Sequence, residues 1–134
     1  MAIEWTPDLA VGVDEIDSQH RKLFEAVNKL MTAMWEGKGK EETGNLLTFL
    51  SDYVMTHFTM EEGLMKALEY PAYIRHKSMH NQFTEELAAL KKKYDRGEID
   101  SSSCITVLDG TCEWLRNHIS KVDKALGTFI KSSR

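Results

Sequence analysis

Five histidines, His20, His57, His76, His80 and His118, are the side chains of this 134-residue chain best suited to chemistry, and each falls where an apolar stripe predicts buried core. His20 lies three residues before Leu23, and His57 with Glu61 fills the gap between Val54 and Leu64. His76 and His80 continue the stripe of Phe83, Leu87 and Leu90, while His118 falls between Leu115 and Val122. A single inward imidazole is ordinarily a hydrogen-bonded core residue. Five of them with a carboxylate would need a dense hydrogen-bond network, and the stripes hold almost no other polar residue to build one. A metal centre would satisfy them all.

Spacing sharpens this reading. Residues four apart on a helix project from one face, so His57 with Glu61, and His76 with His80, each present two ligands to one point. His118 and Asp123 are five apart, about 140° around an ideal α-helix, so the two are expected to flank the centre of their stripe. Periodicity alone leaves Asp123 open as a surface acid.

The elements that must position these residues are helical. The only prolines are Pro7 and Pro71, both at expected boundaries, and the stretches between are rich in Leu, Ala, Met, Glu and Lys. Residues 1 to 16 show no sustained period and read as an extended arm anchored by Trp5. From Asp17, an expected N-cap, Leu23, Phe24, Val27, Leu30, Met31 and Met34 recur at helical spacing until Gly37-Lys38-Gly39. A second helix runs from Glu41 to before Tyr70-Pro71, carrying Leu47, Leu50, Val54, Leu64 and Leu68. A third starts at about Pro71 and ends before Arg96-Gly97, with Lys91, Lys92 and Lys93 as a solvated face favoured by the helix dipole. Asp100 and Ser101 offer caps for a fourth, striped by Cys104, Leu108, Thr111, Leu115, Val122, Leu126 and Phe129. Short loops between four helices predict an all-α, up-down-up-down antiparallel four-helix bundle over residues 17 to 134, forming one domain with the arm.

Composition excludes several classes. Seventeen Lys and Arg against 21 Asp and Glu give a charge of −4, the wrong sign for a nucleic acid or an anionic membrane surface. No apolar run approaches the roughly 18 residues of a membrane span, and the opening MAIEWTPD lacks the basic start and apolar stretch of a signal peptide. Cys104 and Cys112 lie about 12 Å apart along one expected helix, too far for a disulfide. A soluble cytoplasmic protein with reduced thiols is expected.

The order His20, then His57 with Glu61, then His76 with His80, then His118 with Asp123 resembles the hemerythrin family. The likeness covers nearly the whole chain: the Trp5 arm, IDSQH around His20, HFTMEE around His57, the Tyr70-Pro71 turn and WLRNHISKVD around His118. It implies two iron ions, one bound by His76, His80 and His118, the other by His20 and His57, with Glu61, Asp123 and an oxo or hydroxo group as bridges. Three imidazoles against two leave one coordination position open for O2. Two Fe(II), two carboxylates and a hydroxide sum to about +1, far cheaper to bury than bare metal charge. The resemblance further implies a pocket over the open position, lined by Leu23, Phe58, Trp114 and Leu115, none of which is an acid or base.

The expected function is therefore reversible O2 binding by a carrier or store rather than an enzyme, with weak peroxidase or oxidase activity at most. The partner is O2, passed to an oxygen-consuming enzyme; nucleic acid and membrane insertion are excluded, and a monomer is favoured. A di-iron oxidase or peroxidase, or an O2 or iron sensor on the same scaffold, is the alternative. Carboxylate-rich di-iron oxidases use the opposite balance of four Glu and two His, and a sensor ordinarily carries an output domain.

Overall fold

The computed structural model describes residues 4–38 and 40–133. Its regular elements are a short 3-10 turn, Pro7–Leu9, then α1 (Asp14–Trp35), α2 (Lys40–Ala67), α3 (Tyr73–Asp95), α4 (Ser101–His118), a π turn over Ile119–Asp123, and α5 (Lys124–Ser133). Helical dihedrals persist through both joints of the π turn, so α4, the π turn and α5 make one continuous fourth rod. α1 packs on α2 and α4, and α3 on α2 and α4, which closes the antiparallel four-helix bundle expected above.

The stops are local. Gly37 after α1 and Gly97 after α3 adopt left-handed backbone, with φ of 66° and 70°, a conformation glycine takes without a Cβ clash. Asp100 caps α4, its carboxylate accepting the Ser103 N–H at 2.7 Å. The third helix begins at Tyr73 rather than Pro71. Ala72, at φ −95° and ψ 18°, departs from helical geometry, and the Tyr73 N–H bonds back to the Tyr70 carbonyl across a turn.

The first helix starts three residues before the expected cap. Asp17 lies inside α1 and is buried, its carboxylate reaching back to accept the Val11 N–H at 2.8 Å and the Gly12 N–H at 3.3 Å. The arm is also more regular than its sequence suggests. Leu9, Val11 and Val13 are buried while Asp8 and Gly12 are exposed, so the arm lays alternate side chains on the core. Trp5 packs against the same core with the Arg21 guanidinium 4.4 Å above its ring.

One end of the bundle is an ordinary apolar core, with Leu30, Leu47, Leu50 and Leu108 sealed from solvent. Cys104 and Cys112 are free and buried within it, and burial pushes both thiols up to about 11, which makes them inert. Among the described residues, no helix is long and apolar enough to cross a membrane.

Leu47 is fully buried on α2, ten residues or about 15 Å of helix from His57. Leu47→Ala should therefore cost about 2–5 kcal/mol in denaturant unfolding while leaving the metal content unchanged. A loss of bound metal in the folded variant would show the two ends to be coupled.

Candidate metal centre

The antiparallel order brings the start of α1, the last half of α2, the start of α3 and the middle of the fourth rod, at its π turn, to one place in the bundle. His20, His57, Glu61, His76, His80, His118 and Asp123 meet there, all buried. Four of the seven arrive as pairs four residues apart on α2 and α3, as ordinary helix geometry dictates. His118 and Asp123 arrive by another device. The backbone between them forms the π turn, whose i→i+5 bonding brings residues five apart over one another. Asp123 thus neither flanks the stripe nor reaches the surface: it is 1% exposed, and its Oδ1 lies 3.2 Å from His118 Nε2. The 140° separation holds only for an unbroken α-helix.

The donors fall into two sets that share both carboxylates. Glu61 Oε2 faces His20 and His57 at 3.5 and 3.2 Å, while its Oε1 faces His76 and His80 at 3.6 and 3.2 Å. Asp123 divides likewise, Oδ2 lying 3.1 Å from His20 and Oδ1 lying 3.0 Å from His76 and 3.2 Å from His118. Within each set the donor atoms lie no more than 4.8 Å from one another, close enough to share one ion. None of the five Nε2 atoms, neither Glu61 oxygen, nor Asp123 Oδ1 makes a directed hydrogen bond. Buried polar atoms left so are costly, and two cations, one in each set, would satisfy all of them.

The electrostatics agree. Burial alone would lower the basicity of His20 and His76, but contacts with Asp123 and Glu61 outweigh it and raise both to about 9. Burial likewise opposes ionisation of Glu61 and Asp123, and in Asp123 the nearby Glu61 charge adds to that opposition. The surrounding imidazoles reverse the balance and hold both carboxyls below the usual range. The cluster holds anionic oxygens and basic nitrogens, the donor set of a divalent transition-metal pair.

Two residues that periodicity does not single out orient histidines of the cluster. Glu62 Oε2 lies 3.0 Å from His80 Nδ1, and Gln19 Oε1 lies 2.6 Å from His57 Nδ1, each fixing which ring nitrogen faces the cluster. The Tyr53 hydroxyl donates to the Gln19 backbone carbonyl at 3.1 Å. Gln19 and Glu62 are sequence neighbours of His20 and Glu61, yet each serves a histidine on another helix, so adjacency gave no signal. Aromatic rings complete the wall over the three-histidine set. Phe58 stacks on His80 with centroids 3.8 Å apart, Trp114 on His118 at 4.6 Å, and Phe83 on Trp114 at 4.6 Å. Leu23 and Leu115 are buried in the adjoining core, whereas Trp114 is half-buried.

Comparison with known proteins agrees with this geometry. The family profile of the Hemerythrin HHE cation binding domain matches residues 11–130. The chain is 36% identical over 129 residues to a bacteriohemerythrin of Methylococcus capsulatus, covering 96% of both proteins. It is 34% identical to a bacteriohemerythrin of Stenotrophomonas maltophilia, covering 96% of this chain and 81% of that protein. It is 33% identical over 119 residues to myohemerythrin-1 of Phascolopsis gouldii, covering 89% of this chain and 87% of that one. A crystal structure of wild-type hemerythrin superposes with a TM-score of 0.83 at 35% identity, covering 96% of this chain and 97% of that one.

In metal-free protein, His20 and His76 stabilise the fold fully below their ordinary pKa of 6.5 and lose that contribution as pH rises through 9. Glu61 and Asp123 contribute above their ordinary 4.5 and 3.8 and lose it only in stronger acid. Metal displaces the imidazole protons, so the rise in Tm on metal loading should grow from pH 6.5 to pH 9; an equal rise at both would contradict the assignment. Glu62→Gln should weaken metal binding about ten- to a hundredfold in chelator competition, and unchanged affinity would remove Glu62 from the site.

Proposed function

Because the chain belongs to the hemerythrin family, whose cofactor is a pair of oxygen-bridged iron ions and whose ligand is O2, we propose that it binds O2 reversibly as an oxygen carrier or store. The observation that supports this most is the division of Glu61 and Asp123 between a three-histidine and a two-histidine set. His76, His80 and His118 with both carboxylates and one solvent bridge would give an ion six ligands, whereas His20 and His57 with the same three would give five and so leave room for a diatomic molecule. Two iron(II) ions supply the two electrons that a reversible O2 complex requires.

The protein's own residues then have three tasks. The carboxylates and a bridging hydroxide bring the charge of two Fe(II) down to about +1, which an apolar interior tolerates. Gln19 and Glu62 hold His57 and His80 in the ligating orientation. Leu23, Phe58, Trp114 and Leu115 are assigned to the pocket, where they keep out water and offer no group able to deliver a proton to bound oxygen. This favours release over chemistry, a carrier rather than an oxidase. In this reading residues 1–134 act as one domain, a monomer in a reducing cytoplasm where Cys104 and Cys112 stay as thiols, and an oxygen-consuming enzyme receives the O2.

Purified protein should hold two irons per chain, and the absorption of the reduced form should change in air and return on deoxygenation. One iron per chain, or an irreversible change, would contradict the reading. Leu115 tests the pocket itself. Leu115→Glu, about one turn from His118, should shorten the lifetime of the oxygenated protein and raise peroxidase turnover. Leu115→Ala should do so more weakly by admitting water, and should cost about 2–5 kcal/mol of stability. Equal lifetimes for all three proteins at two irons each would make Leu115 ordinary core.

A further inference from the structure

The π turn that carries Asp123 inward needs support from outside its own rod. Such turns occur almost only as single bulges within α-helices, where the α register competes. In that register Asp123 would swing about 140° from His118 and leave the cluster. The arm crosses the rod at this place. Its Pro7–Leu9 turn packs on the π turn, and Lys124, the first residue beyond it, donates through Nζ to the Asp8 carbonyl at 2.8 Å. One turn further on, a Cβ at Gly127 would lie 2.9 Å from Val11 Cβ, 3.0 Å from the Val11 carbonyl carbon, and closer still to its oxygen.

The Val11 backbone is thereby clamped from two sides. Its N–H is held by the buried Asp17 carboxylate on α1, and its carbonyl lies against Gly127 on α5. Both residues are unusual choices. Glycine weakens a helix interior, so a buried one needs a close approach to justify it. A carboxylate taken from water needs donors, and Asp17 lies outside the metal cluster. Burying Leu9, Val11 and Val13 would account for an arm that simply adds apolar area, but it requires neither Asp17 nor Gly127.

We propose that the arm is a strap that positions Asp123: Asp17 and Gly127 act through it to hold the π register in which Asp123 divides its oxygens between the two histidine sets. Asp17 and Gly127 are positioning residues, and their role rests on the two-ion reading above. It predicts that loosening the strap damages the π turn and the shared bridge selectively, beyond any general loss of stability.

The test uses the full chain as Gly127→Ala and Asp17→Asn, with Leu47→Ala as a variant destabilised from the far end and Asp123→Ala as the reference for a lost bridge. Hydrogen exchange of metal-free protein should show amides 119–124 opening on the order of tenfold faster than wild type, relative to those of α2 and α3, in the strap variants and not in Leu47→Ala. Anaerobic Co(II) titration should give a spin-coupled pair in wild type and Leu47→Ala. The strap variants should bind the pair about tenfold more weakly and show weakened coupling, as is expected of Asp123→Ala, which removes one of the shared bridges. Asp17→Asn keeps the side chain's shape but turns an NH2 donor against one of the two arm N–H groups, so it loosens the strap and carries both measurements if Gly127→Ala does not fold. Wild-type exchange at residues 119–124 together with a wild-type Co(II) pair in the strap variants overturns the proposal, as does an equal effect in Leu47→Ala. Wild type that binds a single Co(II) overturns the two-ion reading instead, and the exchange measurement then decides the strap alone.

Discussion

Two carboxylates buried among five imidazoles, each with one oxygen turned to either histidine set, are the arrangement on which the rest of this structure depends. Taking Glu61 and Asp123 out of water costs several kcal/mol apiece unless cations or donors meet them, and the helices supply only imidazole. That requirement dictates that four chain segments end at one place, that His118 and Asp123 share a face despite their spacing, and that the surrounding wall is apolar. A cation in each set would convert the most expensive part of the interior into a cross-link among all four rods, so metal binding would add to the stability of the folded chain.

The bundle accordingly divides its labour along its length. At the far end, leucines and inert thiols close a dry core, and the Thr43 and Tyr94 hydroxyls satisfy each other there. At the near end, imidazoles occupy positions that a more stable protein would give to leucine. Apolar burial at the far end offsets the polar burial at the other, which is how a site of this composition survives in a small domain.

The two histidine sets differ in more than number. His80 faces the charged Glu62 through Nδ1 and is stacked on Phe58 with their planes 1° apart, whereas the partner of His57 is the neutral amide of Gln19. A carboxylate partner raises the basicity of an imidazole ligand more than an amide does. The three-histidine set is therefore the stronger donor both in count and in the character of His80. In the proposed two-iron reading the open position would fall to the set with fewer imidazoles.

Much of this was legible in the sequence because it follows from local rules. The 3.6-residue period located four helices and showed five histidines and Glu61 pointing inward, and four-residue spacing paired His57 with Glu61 and His76 with His80. The ordered ligand set carried the family resemblance on its own. What periodicity could not supply was any break in the period. The π turn adds a residue to one turn of the fourth rod, and only its packing against the arm and the cluster brings Asp123 inside. The same holds for Asp17, which reads locally as a helix cap and in the fold receives two N–H groups of the arm, and for Gln19 and Glu62, whose histidines lie on other helices. Sequence determines which face of a helix is inward, because that depends on neighbours three and four residues away. Which backbone and side-chain groups meet across helices depends on distances that only the assembled bundle sets.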